Sequence, residues 1–203
     1  MPKMIFYAGA HKGEEIEACK RLGYDKIVAI EPQVELCKEM ALSFPDITII
    51  NAALWGEVGE MDLHYGGYST LATLVERRIE TGRFKDYGWK HVTKVKTITL
   101  DVIIEEHGIP NTIAMDIEGA ELSALYGLSH PVEEISFEYD MGFANDAIGC
   151  LKRIEELSRY EYIIRAGEST IIEEGIDSEQ AVKTILSLRQ DMWGMINAIN
   201  KEL

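Results

Sequence analysis

Short apolar runs alternate with amphipathic segments along most of this chain. Runs rich in β-branched and aromatic residues predict strands, whereas apolar residues at helical spacing predict helices. Strands are predicted over residues 5–8, 26–31, 47–50, 57–65, 95–100, 112–116, 134–139, 160–165 and 169–173. Helices are predicted over residues 14–22, 34–43, 101–107, 120–126, 147–159 and from 178 towards 200. This alternation predicts an α/β domain with parallel strands, and the last two strands predict a hairpin around Gly167.

The turn after the first strand carries two glycines, and the next strand ends on an acid. Gly9 and Gly13 flank residues 10–12, and Glu31 follows the second strand. Glycine lets a ligand approach the backbone closely, and an acid at the tip of the second strand can accept both hydroxyls of a ribose. This β-α-β unit therefore predicts a site for an adenosine ligand.

The details of this unit favour S-adenosylmethionine over a dinucleotide. Dinucleotide sites use the pattern G-x-G-x-x-G, and the third glycine is missing here. Glu14, Glu15 and Glu17 in the first helical turn would repel a pyrophosphate, which binds at that helix end in dinucleotide folds. S-adenosylmethionine carries a sulfonium and no phosphate, so it tolerates these acids. The alternative is that both glycines only allow close strand–helix packing and that Glu31 is a solvated strand end.

Further candidate residues follow other predicted strands. In an open α/β sheet the carboxyl ends of the strands meet at one crevice, where ligands bind. Asn51 and Ala52 are expected to meet the flat edge of adenine there. We expect Asp116 to act as a base or acceptor anchor, with Glu118 and Glu138 orienting the reacting groups. These three carboxylates could instead hold magnesium or calcium, and Glu118 could simply stabilise its turn; we expect no metal.

The composition limits the classes of partner. The 203 residues include 35 acidic and 20 basic ones, for a net charge of −15. This surplus argues against nucleic acid or an anionic membrane as the main partner. Without a linker or repeat, residues 1–203 are expected to form one domain. Cys19, Cys37 and Cys150 lack C-x-x-C spacing, and we see no signal peptide or membrane span, so we expect a cytoplasmic protein.

One segment departs from this acidic character. Residues 76–96 contain three acids and seven basic residues, namely Arg77, Arg78, Arg83, Lys85, Lys90, Lys94 and Lys96. We expect residues 66–97 to form an insertion or lid that binds the acceptor, and its charges would recruit an anionic acceptor. The alternative is a solvated helix face and loop.

Four blocks of the sequence, in this order, resemble the FkbM-type family of S-adenosylmethionine-dependent methyltransferases. They are residues 6–13 (FYAGAHKG), 28–32 (VAIEP), 97–101 (TITLD) and 115–121 (MDIEGAE), with weaker matches at 52–54 and at Ser69. The resemblance implies a Rossmann-like class I methyltransferase fold. This is an α/β fold whose mostly parallel, seven-stranded sheet has an antiparallel C-terminal hairpin and helices on both faces. It also implies O-methylation of a sugar, a glycan or another small molecule.

The resemblance and the strand-end argument together predict the methyl-donor site. It comprises Tyr7, Gly9, Ala10, His11, Gly13, Glu31, Pro32, Asn51, Ala52, Leu54 and Asp116. Two positions depart from the family, which usually has an aspartate at Tyr7 and an asparagine at His11. The family aspartate helps to hold the methionine end of the cofactor, and Asp116 could supply the missing negative charge.

These observations leave two functions open and disfavour a third. The first is an O-methyltransferase, and the second is a non-catalytic protein that binds S-adenosylmethionine or another adenosine ligand, which the tyrosine at Tyr7 motivates. Only the first predicts transfer of a labelled methyl group to an acceptor. A nicotinamide oxidoreductase is disfavoured because the chain has no Y-x-x-x-K pair and lacks the third glycine.

Overall fold

The computed structural model of the protein describes residues 2–66, 71–81 and 84–203. Its strands are β1 (Met4–Ala8), β2 (Lys26–Ile30), β3 (Thr48–Ile50), β4 (Ala53–Leu54), β5 (Gly59–Tyr65), β6 (Ala72–Thr73), β7 (His91–Ile98), β8 (Thr112–Met115), β9 (Glu134–Asp140), β10 (Tyr160–Ala166), β11 (Thr170–Ile176) and β12 (Trp193–Asn200). Its helices are α1 (Ile16–Arg21), α2 (Val34–Ser43), α3 (Glu76–Glu80), α4 (Leu100–His107), α5 (Glu121–Tyr126), α6 (Ala144–Glu155) and α7 (Ser178–Ser187).

Eight strands form the main sheet in the order β11-β10-β12-β9-β8-β1-β2-β3. The five strands from β9 to β3 in this order run parallel, and β10, β11 and β12 pair antiparallel. Ala8 of β1 lies beside Ile30 of β2 and Met115 of β8. The residues that follow these three strands therefore meet at one edge of the sheet, and the predicted α/β fold class is confirmed.

A smaller, four-stranded sheet has the order β4-β7-β5-β6. Strand β6, helix α3 and most of β7 lie within residues 66–97, where the sequence predicts an insertion. The weakly matching Ser69 and the basic Arg83 lie outside the described residues. The small sheet contributes its own apolar cluster, in which Leu63 and Leu74 are buried beside Ala53 and Val95.

Alternating side chains of the parallel strands fill the two faces of the main sheet. Phe6 and Val28 belong to the larger core cluster, whereas Ile5, Ile27 and Ala29 belong to a second cluster. Successive residues of a strand point to opposite faces, so a strand covered on both sides is apolar throughout. This double burial explains why the apolar runs at β1 and β2 predict their strands well.

The helix predicted from residue 178 towards 200 is wrong in its second half. Helix α7 ends at Ser187, and β12 then enters the sheet between β9 and β10. Gly194 explains part of this placement, because a Cβ there would lie 1.9 Å from the carbonyl oxygen of Arg165. The sheet therefore has one strand more than the expected seven. No helix in the described ranges combines the length and apolar character needed to cross a membrane.

Candidate functional site

A cleft opens where β1, β2 and β8 end. Among the residues predicted for the site, its lining includes Gly9, His11, Glu31, Pro32, Ala52, Leu54, Asp116 and Glu118. Five other predicted residues do not line it: Tyr7, Ala10, Gly13, Asn51 and Glu138. The small sheet adds Leu63, Ala72 and Leu74, which sequence reasoning missed. Apolar residues occur throughout the chain, so their presence here does not indicate from the sequence that the small sheet folds over the cleft.

Glu31 is a buried carboxylate in the wall of this cleft. Glu31 is only 4% exposed to solvent, so it is not a solvated strand end. Oε2 accepts the backbone N–H of His11 at 3.0 Å, and Oε1 accepts that of Gln33 at 2.8 Å. Burial raises the pKa of Glu31, and these two amide donors oppose the rise. A carboxylate has further lone pairs, so this fixed group can still accept hydroxyl donors from the cleft.

The two glycines of the first turn lie where neighbouring groups leave no room for a side chain. Gly9 has φ +79°, and a Cβ there would lie 1.9 Å from the carbonyl oxygen of Asp116. Gly13 has φ +84°, and its Cβ would lie 2.8 Å from the ring of Phe44. The packing alternative thus accounts for both positions, while Gly9 also lines the cleft.

The turn is longer than predicted, and α1 begins at Ile16 instead of residue 14. The side chain of Glu14 binds back into the turn, where it accepts the N–H of Lys12 at 3.1 Å. Its other oxygen lies 2.7 Å from Nδ1 of His11, a residue whose φ is +48°. These contacts fix the loop that donates the His11 amide to Glu31.

Asn51 supports the site from outside the cleft lining. Its Nδ2 donates to the carbonyl oxygens of Glu31 and Pro32, both at 3.0 Å. These bonds hold the turn after β2, and with it the Glu31 side chain. The expected contact between Asn51 and adenine stays a prediction.

Tyr7 lies among apolar side chains. It is partly buried and packs against the cluster that includes Ile5 and Ala29. Burial and the nearby charge of Asp116 raise the pKa of Tyr7, so the phenol is neutral. Asp116 is exposed and lines the cleft, so it carries the negative charge next to this position.

The acids at the ends of β8 and β9 surround one arginine that sequence reasoning did not assign to this place. Arg78 is 6% exposed, and its Nη1 donates to Oε2 of Glu118 at 2.5 Å. Its Nη2 lies 3.8 Å from Oε2 of Glu138. Glu121 and Asp140 are also buried and act on the same guanidinium. Only the basic composition of residues 76–96 hinted at this residue, and it could not indicate an inward direction.

The surroundings of Glu118 disfavour its ionised form. Burial and the neighbouring Glu138 raise the pKa of Glu118 to about 8, and Arg78 opposes the rise. Glu118 follows the end of β8 with φ +53°, so it does not continue the strand as an extended residue. The described residues contain no group of three or more His, Cys, Asp or Glu arranged to hold a metal ion.

The predicted basic segment is only partly open to solvent. Arg77 is exposed but forms an ion pair with Asp146, and Arg78 is buried among carboxylates. Lys85 and Lys90 are exposed. The segment is therefore neither a uniformly solvated face nor a uniformly free positive lid.

One family model matches more than half of this chain. The model of the Methyltransferase FkbM domain matches residues 8–164. A search of the curated proteins found no match.

Solved structures resemble the whole chain at low sequence identity. A DNMT2 variant from Spodoptera frugiperda is 13% identical with a TM-score of 0.51, and the match covers 99% of this chain and 51% of that one. A precorrin-6y C5,15-methyltransferase from Geobacter metallireducens is 8% identical with a TM-score of 0.47, covering 98% of this chain and 80% of that one. At these identities the likeness concerns the fold alone, and this chain spans about half of the DNMT2 chain.

Proposed function

Because this chain belongs to the FkbM methyltransferase family, we propose that it transfers the methyl group of S-adenosylmethionine to a hydroxyl oxygen. The acceptor in this proposal is a sugar, a glycan or another small molecule. Glu31 is the observation that supports it best. A buried carboxylate at the tip of β2, fixed by two backbone amides, suits the paired hydroxyls of a ribose.

The apolar part of the cleft suits the adenine ring. Leu54, Leu63 and Leu74 line the cleft together with Glu31. Apolar walls with a few fixed polar groups are typical of small-ligand sites. In our proposal these leucines pack on the base, and Asn51 keeps the adjoining turn in place.

At the other end of the cleft, Gly9 and Asp116 would hold the methionine part. Asp116 supplies the negative charge for an ammonium group, which the neutral phenol of Tyr7 does not. S-adenosylmethionine, when bound, supplies an electrophilic methyl group. The cleft residues then need to align the acceptor oxygen and remove its proton.

We assign proton removal to Glu118. Asp116 then holds the methionine part of the methyl donor. A general base works best with a pKa near the operating pH. Glu118 lines the cleft, and its pKa is raised to about 8. Its carboxylate would take the proton of the acceptor hydroxyl while the oxygen–methyl bond forms and the methyl–sulfur bond breaks. Glu138 acts on this step through its charge.

Our proposal includes recruitment of an anionic acceptor, but by fewer basic residues than the sequence predicts. Arg77, Arg78 and Lys94 already pair with carboxylates, so the charge that recruits the acceptor would come from the exposed Lys85, Lys90 and Lys96. A cytoplasmic location, which the three free, buried cysteines suit, is likewise proposed.

Calorimetry with S-adenosylmethionine, S-adenosylhomocysteine and NAD tests the adenosine site directly. We expect binding of the first two and none of the third. Incubation with labelled methyl donor and a panel of sugars then separates catalysis from binding alone. Saturable binding without transfer to any acceptor would favour the non-catalytic alternative, and preferential binding of NAD would overturn both.

A further inference from the structure

Arg78 is a buried cation for which the proposed reaction has no direct use. It lies on α3, a helix of the segment that follows the small sheet's β6 strand. Its guanidinium reaches Glu118, which lines the cleft, at 2.5 Å, and approaches Glu138 on β9 to 3.8 Å. One side chain thus links three separate parts of the fold.

The turn after β8 has the shape that this guanidinium requires. Gly119 has φ +94°, and a Cβ there would lie 2.6 Å from Nε and 2.9 Å from Cδ of Arg78. Any side chain at Gly119 would therefore displace the arginine. Glycine at position 119 therefore allows both the positive φ of the turn and the close approach of Arg78.

A second contact attaches the same segment to the same turn. The hydroxyl of Thr73 donates to the carbonyl oxygen of Glu118 at 2.8 Å and accepts the N–H of Val75 at 3.0 Å. The neighbouring Ala72 and Leu74 line the cleft. The apolar wall and the acid of the cleft are therefore held together through residues 73 and 78.

Charged groups reach Glu118 from every element around it. They are Asp116 on its own turn, Glu121 on α5, Glu138 on β9 and Arg78 on α3, with Asp140 of β9 acting on Arg78. Of these described groups, Arg78 alone is positive. Without it, the Glu118 carboxylate would face only like charges.

The fold does not satisfy this arginine fully. Its buried Nε has no hydrogen-bond partner within the described part of the chain. A buried charge with incomplete hydrogen bonding reduces stability. Arg78 therefore has a cost to the fold at the place where it contacts an acid of the cleft, and this motivates a role beyond folding.

We propose that Arg78 is a positioning residue for methyl transfer, which orients the Glu118 carboxylate and couples its charge to the placement of residues 71–81 over the cleft. The assignment to methyl transfer rests on the proposed function. The coupling itself is a property of the protein alone. It predicts that loss of Arg78 changes both the titration of Glu118 and the protection of residues 71–81.

Carbon-13 NMR of glutamate-labelled protein tests the coupling without any ligand. The Glu118 signal is assigned by its loss in Glu118→Gln, and its titration is compared between wild type and Arg78→Met. We expect the midpoint to rise by about one pH unit or more, a tenfold change in proton affinity. Hydrogen exchange of residues 71–81 should become about tenfold faster.

Arg77→Met is the matched control. Arg77 adjoins Arg78, pairs with Asp146 and lies over the ring of Phe143, so its loss removes the same charge without touching Glu118. It should leave the Glu118 midpoint and the exchange of residues 71–81 close to wild type. Equal shifts in Arg77→Met and Arg78→Met would overturn the proposal, because they would indicate a general charge effect.

Arg78→Lys keeps the positive charge but lacks the planar fork of donors with which the guanidinium reaches Glu118 and Glu138 together. It should raise the Glu118 midpoint less than Arg78→Met does while still increasing exchange in residues 71–81. If Arg78→Met does not fold, wild-type behaviour of Arg78→Lys in both measurements overturns the proposal. If the coupling is found but calorimetry detects no S-adenosylmethionine binding, the proposed function fails and the coupling stands.

Discussion

Two carboxylates that line the same cleft, Glu31 and Glu118, experience different surroundings. Backbone amides of His11 and Gln33 donate to Glu31 and favour its ionised form. Glu118 instead meets other acids, and Arg78 offsets them only in part. Burial raises the pKa of both acids. An acid whose oxygens are fixed by backbone amides suits binding, whereas an acid with a pKa near the operating pH suits proton transfer.

Replacing Glu31 with alanine should weaken S-adenosylmethionine binding by about 1.5–3 kcal/mol, because hydrogen bonds to a charged group contribute that much. Isothermal titration calorimetry measures the change. Glu35→Ala is the control, since Glu35 is exposed on α2 and forms an ion pair with Lys38. Equal affinities for wild type and Glu31→Ala would contradict the ribose role.

Replacing Glu118 with glutamine should flatten the dependence of stability on pH. The pKa of Glu118 is raised from 4.5 to about 8 in the folded state, so the folded protein holds this proton more tightly than the unfolded chain. Its contribution to stability is therefore fully present below the unfolded pKa and is lost as the pH rises through the folded one. Urea unfolding between about pH 5 and about pH 8 measures this slope.

The exposed Glu105→Gln is the control for this series, and it should keep the wild-type slope. An unchanged slope in Glu118→Gln would mean that Glu118 titrates normally. It would also remove the reason for assigning proton removal to this residue.

At the scale of elements, the turn between β8 and α5 joins the two sheets. Its glycine receives Arg78 of α3, and its glutamate carbonyl receives the hydroxyl of Thr73. The turn residues of the MDIEGAE block therefore have packing partners that are far away in sequence. A motif taken alone does not reveal such partners.

Replacing Gly119 with alanine should destabilise the protein by more than backbone strain alone, which costs about 1–2 kcal/mol for a left-handed residue. Gly175→Ala is the matched control. Gly175 has φ +67°, and nothing lies within 4 Å of a Cβ there. The excess loss in Gly119→Ala, measured by urea unfolding, reports the displacement of Arg78. Equal losses in both variants would contradict the contact.

At the scale of the whole molecule, the parallel strands bring the cleft residues together, and the acidic surplus acts on all of them. The net charge of −15 repels itself in the compact state. The cluster around Arg78 shows the same excess of acids, because four acidic residues act on one arginine. Ion pairs such as Lys38–Glu35 and Lys183–Glu179 lie at the surface, where such pairs contribute little.

Added salt should therefore raise the melting temperature. Salt screens exposed charges over a Debye length of about 10 Å at 0.1 M, so we expect the net repulsion to weaken more than the favourable pairs do. Thermal unfolding from about 20 mM to about 300 mM sodium chloride measures the effect, and potassium chloride should give the same curve. A falling melting temperature would mean that specific ion pairs dominate.

The sequence by itself determined which segments form the parallel core strands. Strands buried on both faces are apolar throughout, so the apolar runs at β1 and β2 predict these strands. The acid at the tip of β2 is the first charged residue after the second run. The cleft edge and Glu31 follow from local patterns and from the rule that ligands bind at the carboxyl ends of such strands.

Only the tertiary structure decided the remainder. Strand β12 alternates too weakly to exclude a helix, and it becomes a strand because β9 and β10 offer hydrogen-bonding edges on both sides. The inward direction of Arg78 depends on Gly119, a residue far along the chain. Burial and the approach of distant charges set both the partner of Arg78 and the titration of Glu118, and neither is encoded in a local pattern.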